Sequence, residues 1–272
     1  MDNKKLVKIY PFLVLAGTAL VTLLRSLALA QGYDAAIGYF NKAPIALILN
    51  IITLLTVISC ALPLVLMGKG TITAKFTENA PVLRLASCYS AIITLISVVE
   101  MLHLFSQGLL EKTAVVFTAI SALFFIFSAI SKRNFDIYKA FLSVSVVVCC
   151  ACILASLYFN LDIAMNSPHK SYGSFALMSA MILMLCEVRI YLDKPLPRVH
   201  LTLSALTFIL GFSQAASAII YRLTSSPDEF EANSVLLGSL GYVLFIAAIS
   251  FFAIARCFTF STVTPAEDEP QL

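Results

Sequence analysis

Five ionisable side chains lie within or at the ends of long apolar segments of this chain: Arg25, Glu100, His103, Glu187 and Arg189. A charge inside a lipid bilayer is costly unless it is paired or hydrated, so such residues are the first candidates for a functional site. Their chemistry is that of ion and proton binding. Glu100 and His103, three positions apart, share one helix face and are able to take up a proton or cation, while Arg25 suits an anionic group.

Depth in the predicted spans groups these residues further. Arg25, Glu100 and His103 fall in the outer third of their segments, and Asn50 and Gln214 lie at about the same level. We expect these five side chains to form a polar ligand or ion site in the outer leaflet. A structural alternative stays open, in which Arg25 and Glu100 form a buried pair whose spare donors Asn50 and Gln214 satisfy, or Arg25 extends to the interface.

A second group is expected at the inner end of the sixth segment. Glu187 and Arg189 are two residues apart and therefore point to different sides of a helix. Glu187 is expected to pair with a basic residue of another segment, such as Arg84, Lys139 or Arg198, and to act as a cytoplasmic-side lock. A cytoplasmic gate is the alternative.

Small and hydroxyl residues form stripes on several segments, one of which runs along the third. In lipid such stripes typically mark close helix packing. We therefore expect the face of the third segment made by Ser87, Ser90, Thr94 and Ser97 to contact another helix.

Other chemistries find little support in the residues. The chain has no G-x-S-x-G, H-E-x-x-H, Walker A or G-x-G-x-x-G motif. His169 is expected outside the membrane and His200 at the inner interface, and neither position needs a special role. The cluster of Cys149, Cys150 and Cys152 is interpreted as small apolar packing. We expect no metal and no cofactor. An enzyme using Glu100 and His103 as acid and base is a third reading that lacks a partner set.

The elements that position these residues are predicted to be transmembrane helices. The chain is 60% hydrophobic and only 12% charged, which is far from the composition of a soluble domain. Eight segments are long enough for a bilayer core of about 30 Å. The predicted fold is therefore an all-α, eight-helix transmembrane bundle in contact with the lipid bilayer. The spans are 9–30, 43–67, 85–107, 113–131, 140–160, 172–192, 201–221 and 234–255.

Basic residues predict the orientation of the bundle. Positive loops are retained in the cytoplasm. Thirteen basic residues fall on one predicted side: Lys4, Lys5, Lys8, Lys69, Lys75, Arg84, Lys132, Arg133, Lys139, Arg189, Lys194, Arg198 and Arg256. The other side has four: Lys42, Lys112, Lys170 and Arg222. Both termini are thus expected in the cytoplasm, and the positive charge indicates topology rather than nucleic-acid binding.

The first segment also permits a second interpretation. Ala28, Leu29 and Ala30 follow an apolar run and imitate the cleavage site of a secretory signal, and cleavage there leaves seven helices. The length of the run and Arg25, which stands between it and that site, favour a retained helix.

Two exterior loops share a pattern. Asp34, Gly38 and Lys42 have the same spacing as Asp162, Asn166 and Lys170, shifted by 128 residues. We expect one transmembrane domain over 1–272, of two parallel four-helix halves, 1–136 and 137–260, with Asp34 and Asp162 facing each other across the external mouth. Residues 261–272 are expected to form a disordered cytoplasmic tail.

The turn at Asn166, Ser167, Pro168 and Lys170, followed by a helix ending in Glu187-Val188-Arg189, resembles uncharacterised bacterial multi-pass membrane proteins with an N-S-P-x-K turn and an E-x-R ending. The segment from Asp34 to Phe40 is similar to their first exterior loop. This resemblance implies a bacterial inner membrane and no particular activity.

The predicted function is binding or transport of a small solute or ion through the outer-leaflet site. The alternative is a non-transporting subunit or ligand sensor of a membrane complex, with a membrane-protein partner or a second copy of the chain. Co-purification of a partner favours the subunit, whereas coupled uptake favours the transporter.

Overall fold

The computed structural model describes residues 3–34, 39–40, 43–61, 81–106, 108–131, 136–159, 167–224 and 239–261. These residues form eight α-helices and one short hairpin. The helices are α1 (Asn3–Gly32), α2 (Ala43–Cys60), α3 (Pro81–Met101), α4 (Leu109–Ile130), α5 (Ile137–Phe159), α6 (Pro168–Tyr191), α7 (Pro197–Thr224) and α8 (Leu240–Ser261).

Seven of these helices are long and apolar enough to cross a membrane, and α2 is a shorter apolar helix, Pro44–Cys60. The prediction of a multi-pass, all-helical membrane bundle is therefore confirmed.

Three predicted boundaries were wrong. The second span was expected to run to residue 67, but α2 ends at Cys60, and Ala61 lies in a tight turn in which its backbone nitrogen donates to the Ile58 carbonyl oxygen (3.0 Å); residues 62–67 lie outside the described residues. The last span was expected over 234–255, but Ser239 is not helical and α8 runs from Leu240 to Ser261. In α7 the helix begins at Pro197, where proline is favoured, and not at 201.

The helices pack as a closed ring. Each of α3 to α8 contacts the next, and α8 returns to α3. Outside this ring α1 packs against α7 and α8, and α2 packs against α1 and α7. The rings of Phe12 on α1 and Phe258 on α8 lie 5.6 Å apart, so the start of α1 and the end of α8 share one end of the bundle. We call this end the terminal face and the other the opposite face.

The interior of the ring is filled by apolar side chains, with an aromatic cluster towards the terminal face. Phe252 of α8 reaches across to α4, with its ring centroid 5.5 Å from that of Phe124 and 5.7 Å from that of Phe125. All three rings are fully buried. The ring of helices is therefore a packed core at this level.

The contact between α3 and α8 uses the predicted stripe of hydroxyl residues. Ser90 donates to the carbonyl oxygen of Ala248 (2.7 Å), and Ser97 donates to that of Gly241 (2.6 Å). Ser87 and Thr94 are also buried. The prediction that this face packs against another helix is confirmed.

The segment after α1 forms a two-stranded antiparallel hairpin, β1 (Tyr33–Asp34) and β2 (Tyr39–Phe40). Tyr33 pairs with Phe40, and their ring centroids lie 5.4 Å apart. The hairpin places Tyr33 over the opposite face, next to the end of α1.

Candidate functional site

Arg25 lies at the opposite-face end of α1, inside the bundle, with only 2% of its surface exposed. Its guanidinium group donates to the side-chain oxygen of Gln214 and to the hydroxyl of Ser217 (3.2 Å), both on α7. It also lies 3.9 Å from the ring centroid of Tyr172 on α6, which is a cation–π distance. One cation therefore joins α1, α6 and α7.

The neighbouring side chains hold this arrangement in place. The hydroxyl of Tyr172 lies 2.6 Å from that of Ser213, which fixes the tyrosine ring against α7. Gly173 lies beside Gln214, since a β-carbon at position 173 would be 3.7 Å from the Gln214 amide nitrogen, an ordinary van der Waals distance. We call the group Arg25, Tyr172, Ser213, Gln214 and Ser217 the Arg25 cluster.

Two further hydroxyls lie beside the Arg25 cluster. Tyr33 interacts electrostatically with Arg25, and its hydroxyl neighbours that of Ser167, the residue preceding α6. The two hydroxyls interact with each other, and neither buried oxygen has another hydrogen-bond partner among the described residues. Burial raises the pKa of the Tyr33 hydroxyl, so that it stays protonated at neutral pH.

The structure brings together only part of the predicted outer-leaflet site. Gln214 contacts Arg25 as expected, but Glu100 does not. It lies on α3, which packs against α4 and α8, and it makes no hydrogen bond or ion pair with the described residues. The buried Arg25–Glu100 pair is therefore absent from the described contacts, because α1 packs on the far side of α8 from α3.

His103 and Asn50 are also separate from Arg25. His103 is exposed because the α-helix ends at Met101 and continues as a 3₁₀ turn, Leu102–Ser106, which breaks the spacing that predicted a shared face with Glu100. Asn50 is exposed on α2 and makes no hydrogen bond with the described residues. The side chains of Asp34, Asp162 and Asn166 lie outside the described residues.

A second polar cluster lies near the terminal face, around Glu187 of α6. Its carboxylate accepts two hydrogen bonds from Arg256 of α8, at 2.7 and 2.5 Å, and lies 2.7 Å from Nε2 of His200 on α7. All three side chains are at most 1% exposed. This carboxylate therefore joins α6, α7 and α8, and we call the three residues the Glu187 cluster.

Aromatic and basic side chains extend the Glu187 cluster. Arg256 also donates to the hydroxyl of Tyr191 (3.2 Å). The amine of Lys139, 1% exposed, lies 5.5 Å from the centroid of the Tyr191 ring. The expectation of Glu187 paired with a basic residue of another helix holds in kind, but the described partners are Arg256 and His200 rather than Arg84, Lys139 or Arg198.

Arg189 and Arg84 do not contact the Glu187 carboxylate among the described residues. Arg189 is exposed and donates to the backbone oxygen of Lys194 (3.2 Å), and Arg84 is half-buried on α3. Arg189 therefore points away from Glu187, as their spacing predicted.

The connection between α6 and α7 explains why Glu187 and His200 meet. The α6 C-terminus closes with hydrogen bonds from Asp193 to Ile190 (3.0 Å) and from Lys194 to Arg189 (2.8 Å), a Schellman arrangement with Asp193 at φ 58°. Pro197 then starts α7. The short corner returns the chain antiparallel, so that His200 lies beside the last turns of α6.

Several members of both clusters were missed from the sequence. His200 and Arg256 were assigned to interfaces because the spans were predicted to start at 201 and end at 255, and the true helix ends bring them inside. The neutral residues Tyr172 and Ser217 carry no individual signal, and they become visible only once α1, α6 and α7 are known to be neighbours.

No metal-binding group of three or more His, Cys, Asp or Glu residues occurs within the described ranges. The seven cysteines are free thiols, and Cys149 and Cys150 are fully buried. The sulfur of Cys149 lies 3.0 Å from the Thr118 hydroxyl on α4. This contact fits the interpretation of small packing residues between α4 and α5.

Comparison of the chain with known protein families, with characterised proteins and with solved structures finds no match. The fold and the two clusters define the class: a multi-pass helical membrane bundle with buried polar clusters towards both of its faces.

Proposed function

We propose that this membrane protein binds a small solute or ion at the Arg25 cluster and moves it across the bilayer. The observation that supports this most is Arg25 itself, a cation with 2% of its surface exposed and contacted by side chains from α6 and α7. In hydrocarbon such a group is expensive and usually marks a ligand or ion pathway.

A transport role is supported by the way in which the two clusters share helices. α6 and α7 contribute Tyr172 and Gln214 to the Arg25 cluster, and Glu187 and His200 to the Glu187 cluster. Fifteen residues of helix separate Tyr172 from Glu187, a rise of about 22 Å. Alternating access requires one end of the bundle to open while the other stays closed. Rocking of α6 and α7 would open one cluster while the other stays closed.

The orientation and source belong to the same proposal. The terminal face is cytoplasmic, the opposite face is external, and the membrane is a bacterial inner membrane. The support is the excess of basic residues on the terminal side and the resemblance of the Asn166–Lys170 turn and the Asp34–Phe40 loop to bacterial multi-pass proteins.

The proposal is tested by binding and then by uptake. Purified protein is screened by thermal unfolding against carboxylates, phosphate, sulfate, amino acids and alkali cations, and solutes that raise the melting temperature are assayed for uptake into proteoliposomes. We expect Arg25→Gln to weaken solute binding and to slow uptake at least tenfold. Ser217→Ala, which keeps the charge of Arg25, should have a smaller effect on both.

Arg222→Gln is the matched control, because Arg222 is exposed at the same end of α7. Stabilisation and uptake that survive unchanged in Arg25→Gln would reject the Arg25 cluster as the site. Binding without uptake would reject transport and leave a ligand sensor.

A second candidate function, a subunit of a membrane complex, is favoured by one observation on α2. Asn50 is exposed on this peripheral helix without a hydrogen bond, and the hydroxyl oxygen of Thr53, one turn away, is buried without a partner, both within the described part of the chain. Polar side chains facing lipid commonly bind a neighbouring transmembrane helix.

Asn50→Leu tests the subunit role. The substitution should abolish a co-purifying partner or a cross-linked second copy if α2 is an interface. Ser59→Leu is the control, since the Ser59 hydroxyl is already bonded within α2 to the carbonyl oxygen of Thr56 (2.6 Å). A monomeric, partner-free native protein would remove this candidate.

A further inference from the structure

Asn50 differs from the other exposed polar side chains of α2 in how its polar atoms are satisfied. The helix begins at Ala43, so Asn50 lies about 10 Å along it, too deep for its short side chain to reach a membrane surface. Thr56 and Ser59 satisfy their hydroxyls within the helix, by donating to the carbonyl oxygens of Ile52 (2.8 Å) and Thr56 (2.6 Å). The Asn50 amide makes no hydrogen bond with the described residues. An amide without a partner is costly in hydrocarbon, so a partner from another chain is expected.

The packing of α2 on the bundle directs Asn50 outwards. Leu49 and Cys60 are buried, and the hydroxyl of Tyr10 on α1 donates to the Cys60 carbonyl oxygen (3.0 Å). These residues define the inward face of α2. Asn50 lies about 100° round the helix from Leu49, on the side where the helix is exposed.

Asn50 belongs to a stripe with the spacing of a helix-pairing seam. Leu47, Asn50, Leu54 and Val57 follow one another at intervals of three, four and three residues. This is the a and d spacing of two helices that pack side by side. In a parallel pair, equivalent positions of the two helices face each other across the seam. Leu47 and Leu54 are exposed in the single chain, so this stripe is open to a second helix.

We propose that two copies of this chain associate through α2, and that Asn50 of each copy donates a hydrogen bond to the side-chain oxygen of Asn50 in the other. An amide has both donors and an acceptor, so it is complementary to itself across a two-fold axis. Copies inserted in the same orientation present α2 in parallel, as this pairing requires. A second copy is therefore the partner whose matching groups the chain itself supplies. This inference rests on the second candidate function, because it names the partner of α2.

The first experiment measures self-association of the full chain in lipid vesicles, without any solute, as the protein-to-lipid ratio is varied. Energy transfer between copies labelled with two different dyes gives the dissociation constant. We expect Asn50→Leu to weaken association by about tenfold and Asn50→Gln, which keeps the amide, by less than about threefold. Ser59→Leu is the control, because it makes the same polar-to-apolar change at an exposed residue that is already bonded within its helix. It should leave the dissociation constant unchanged.

Cross-linking tests the geometry of the pair. Leu54→Cys and Leu55→Cys are compared in a background with the native cysteines replaced. The two leucines are equally exposed, at 59% and 61%, but only Leu54 lies in the stripe. Oxidation of the thiols to a disulfide should join two copies through Leu54→Cys and not through Leu55→Cys. Adding Asn50→Leu to the Leu54→Cys variant should remove the cross-linked dimer.

The outcomes separate this inference from both candidate functions. Self-association that is lost in Asn50→Leu, and kept in Asn50→Gln and Ser59→Leu, supports it. Association that is absent, that survives Asn50→Leu, or that cross-links equally through Leu55→Cys overturns it. A different protein that co-purifies and is lost in Asn50→Leu, without self-association, also overturns it but leaves the subunit role standing. Because no solute is present, these results do not depend on whether the Arg25 cluster transports one.

Discussion

At the scale of single residues, Glu187 shows how much of a buried site a sequence reveals. An acid in the last turns of an apolar segment predicted a partner on another helix, and that expectation holds in kind. The identity of the partners did not follow, because Arg256 and His200 were placed one turn outside their helices. An error of a few residues at a helix end is enough to move a charge from the core to the interface.

The Glu187 carboxylate should contribute strongly to stability. Replacing it with glutamine leaves the buried Arg256 and His200 against a neutral amide, and breaking a buried ion pair on one side costs about 3–5 kcal/mol. We expect Glu187→Gln to lower the melting temperature in micelles clearly. Glu100→Gln is the matched control, since Glu100 is a half-buried acid without a hydrogen bond to the described residues. This substitution should change the free energy of unfolding by no more than about 0.5 kcal/mol. Equal melting temperatures for the two variants would contradict the role of the Glu187 cluster.

At the scale of elements, apolar length predicted the eight helices of the described residues, and the hydroxyl stripe on α3 predicted a packing face. The partner of that face was not predictable, because small residues indicate close approach and not which helix approaches. The unknown order of the helices also explains why Glu100 and Arg25 were expected to meet but lie apart. Residues at one depth meet only if their helices are neighbours, and the order of helices around a bundle is a property of the packed structure.

The approach of α3 to α8 should depend on Gly241. A β-carbon there would overlap the Met101 side chain and lie 2.9 Å from the Ser97 backbone oxygen, which cannot rotate away. We expect Gly241→Ala to destabilise the protein by about 1–3 kcal/mol, as overpacking does. Gly173→Ala is the control for stability, since its β-carbon would be no closer than 3.7 Å to a neighbour. Thermal unfolding of the two variants measures the difference, and a neutral Gly241→Ala would show that the helices separate easily.

At the scale of the whole molecule, the basic residues that predicted topology are not all surface charges. Lys139, Lys170 and Arg256 are buried in the bundle, at 1%, 5% and 1% exposure, and serve its internal contacts. Setting these three aside leaves eleven basic residues on the side predicted to be cytoplasmic and three on the other. The asymmetry that governs insertion therefore survives, because the loops and not the buried cations carry it.

This asymmetry yields a direct prediction for the orientation in the membrane. In a background with the native cysteines replaced, Lys112→Cys at the opposite face should react with a membrane-impermeant thiol reagent in intact cells. The Lys112 side chain is exposed, and we propose that the opposite face lies outside the cell. Lys194→Cys, exposed between α6 and α7 at the terminal face, should react only after the membrane is permeabilised. Labelling of Lys194→Cys in intact cells, with Lys112→Cys protected, would show that the bundle has the opposite orientation. The Arg25 cluster would then face the cytoplasm, and a solute that binds there would have to enter from inside the cell.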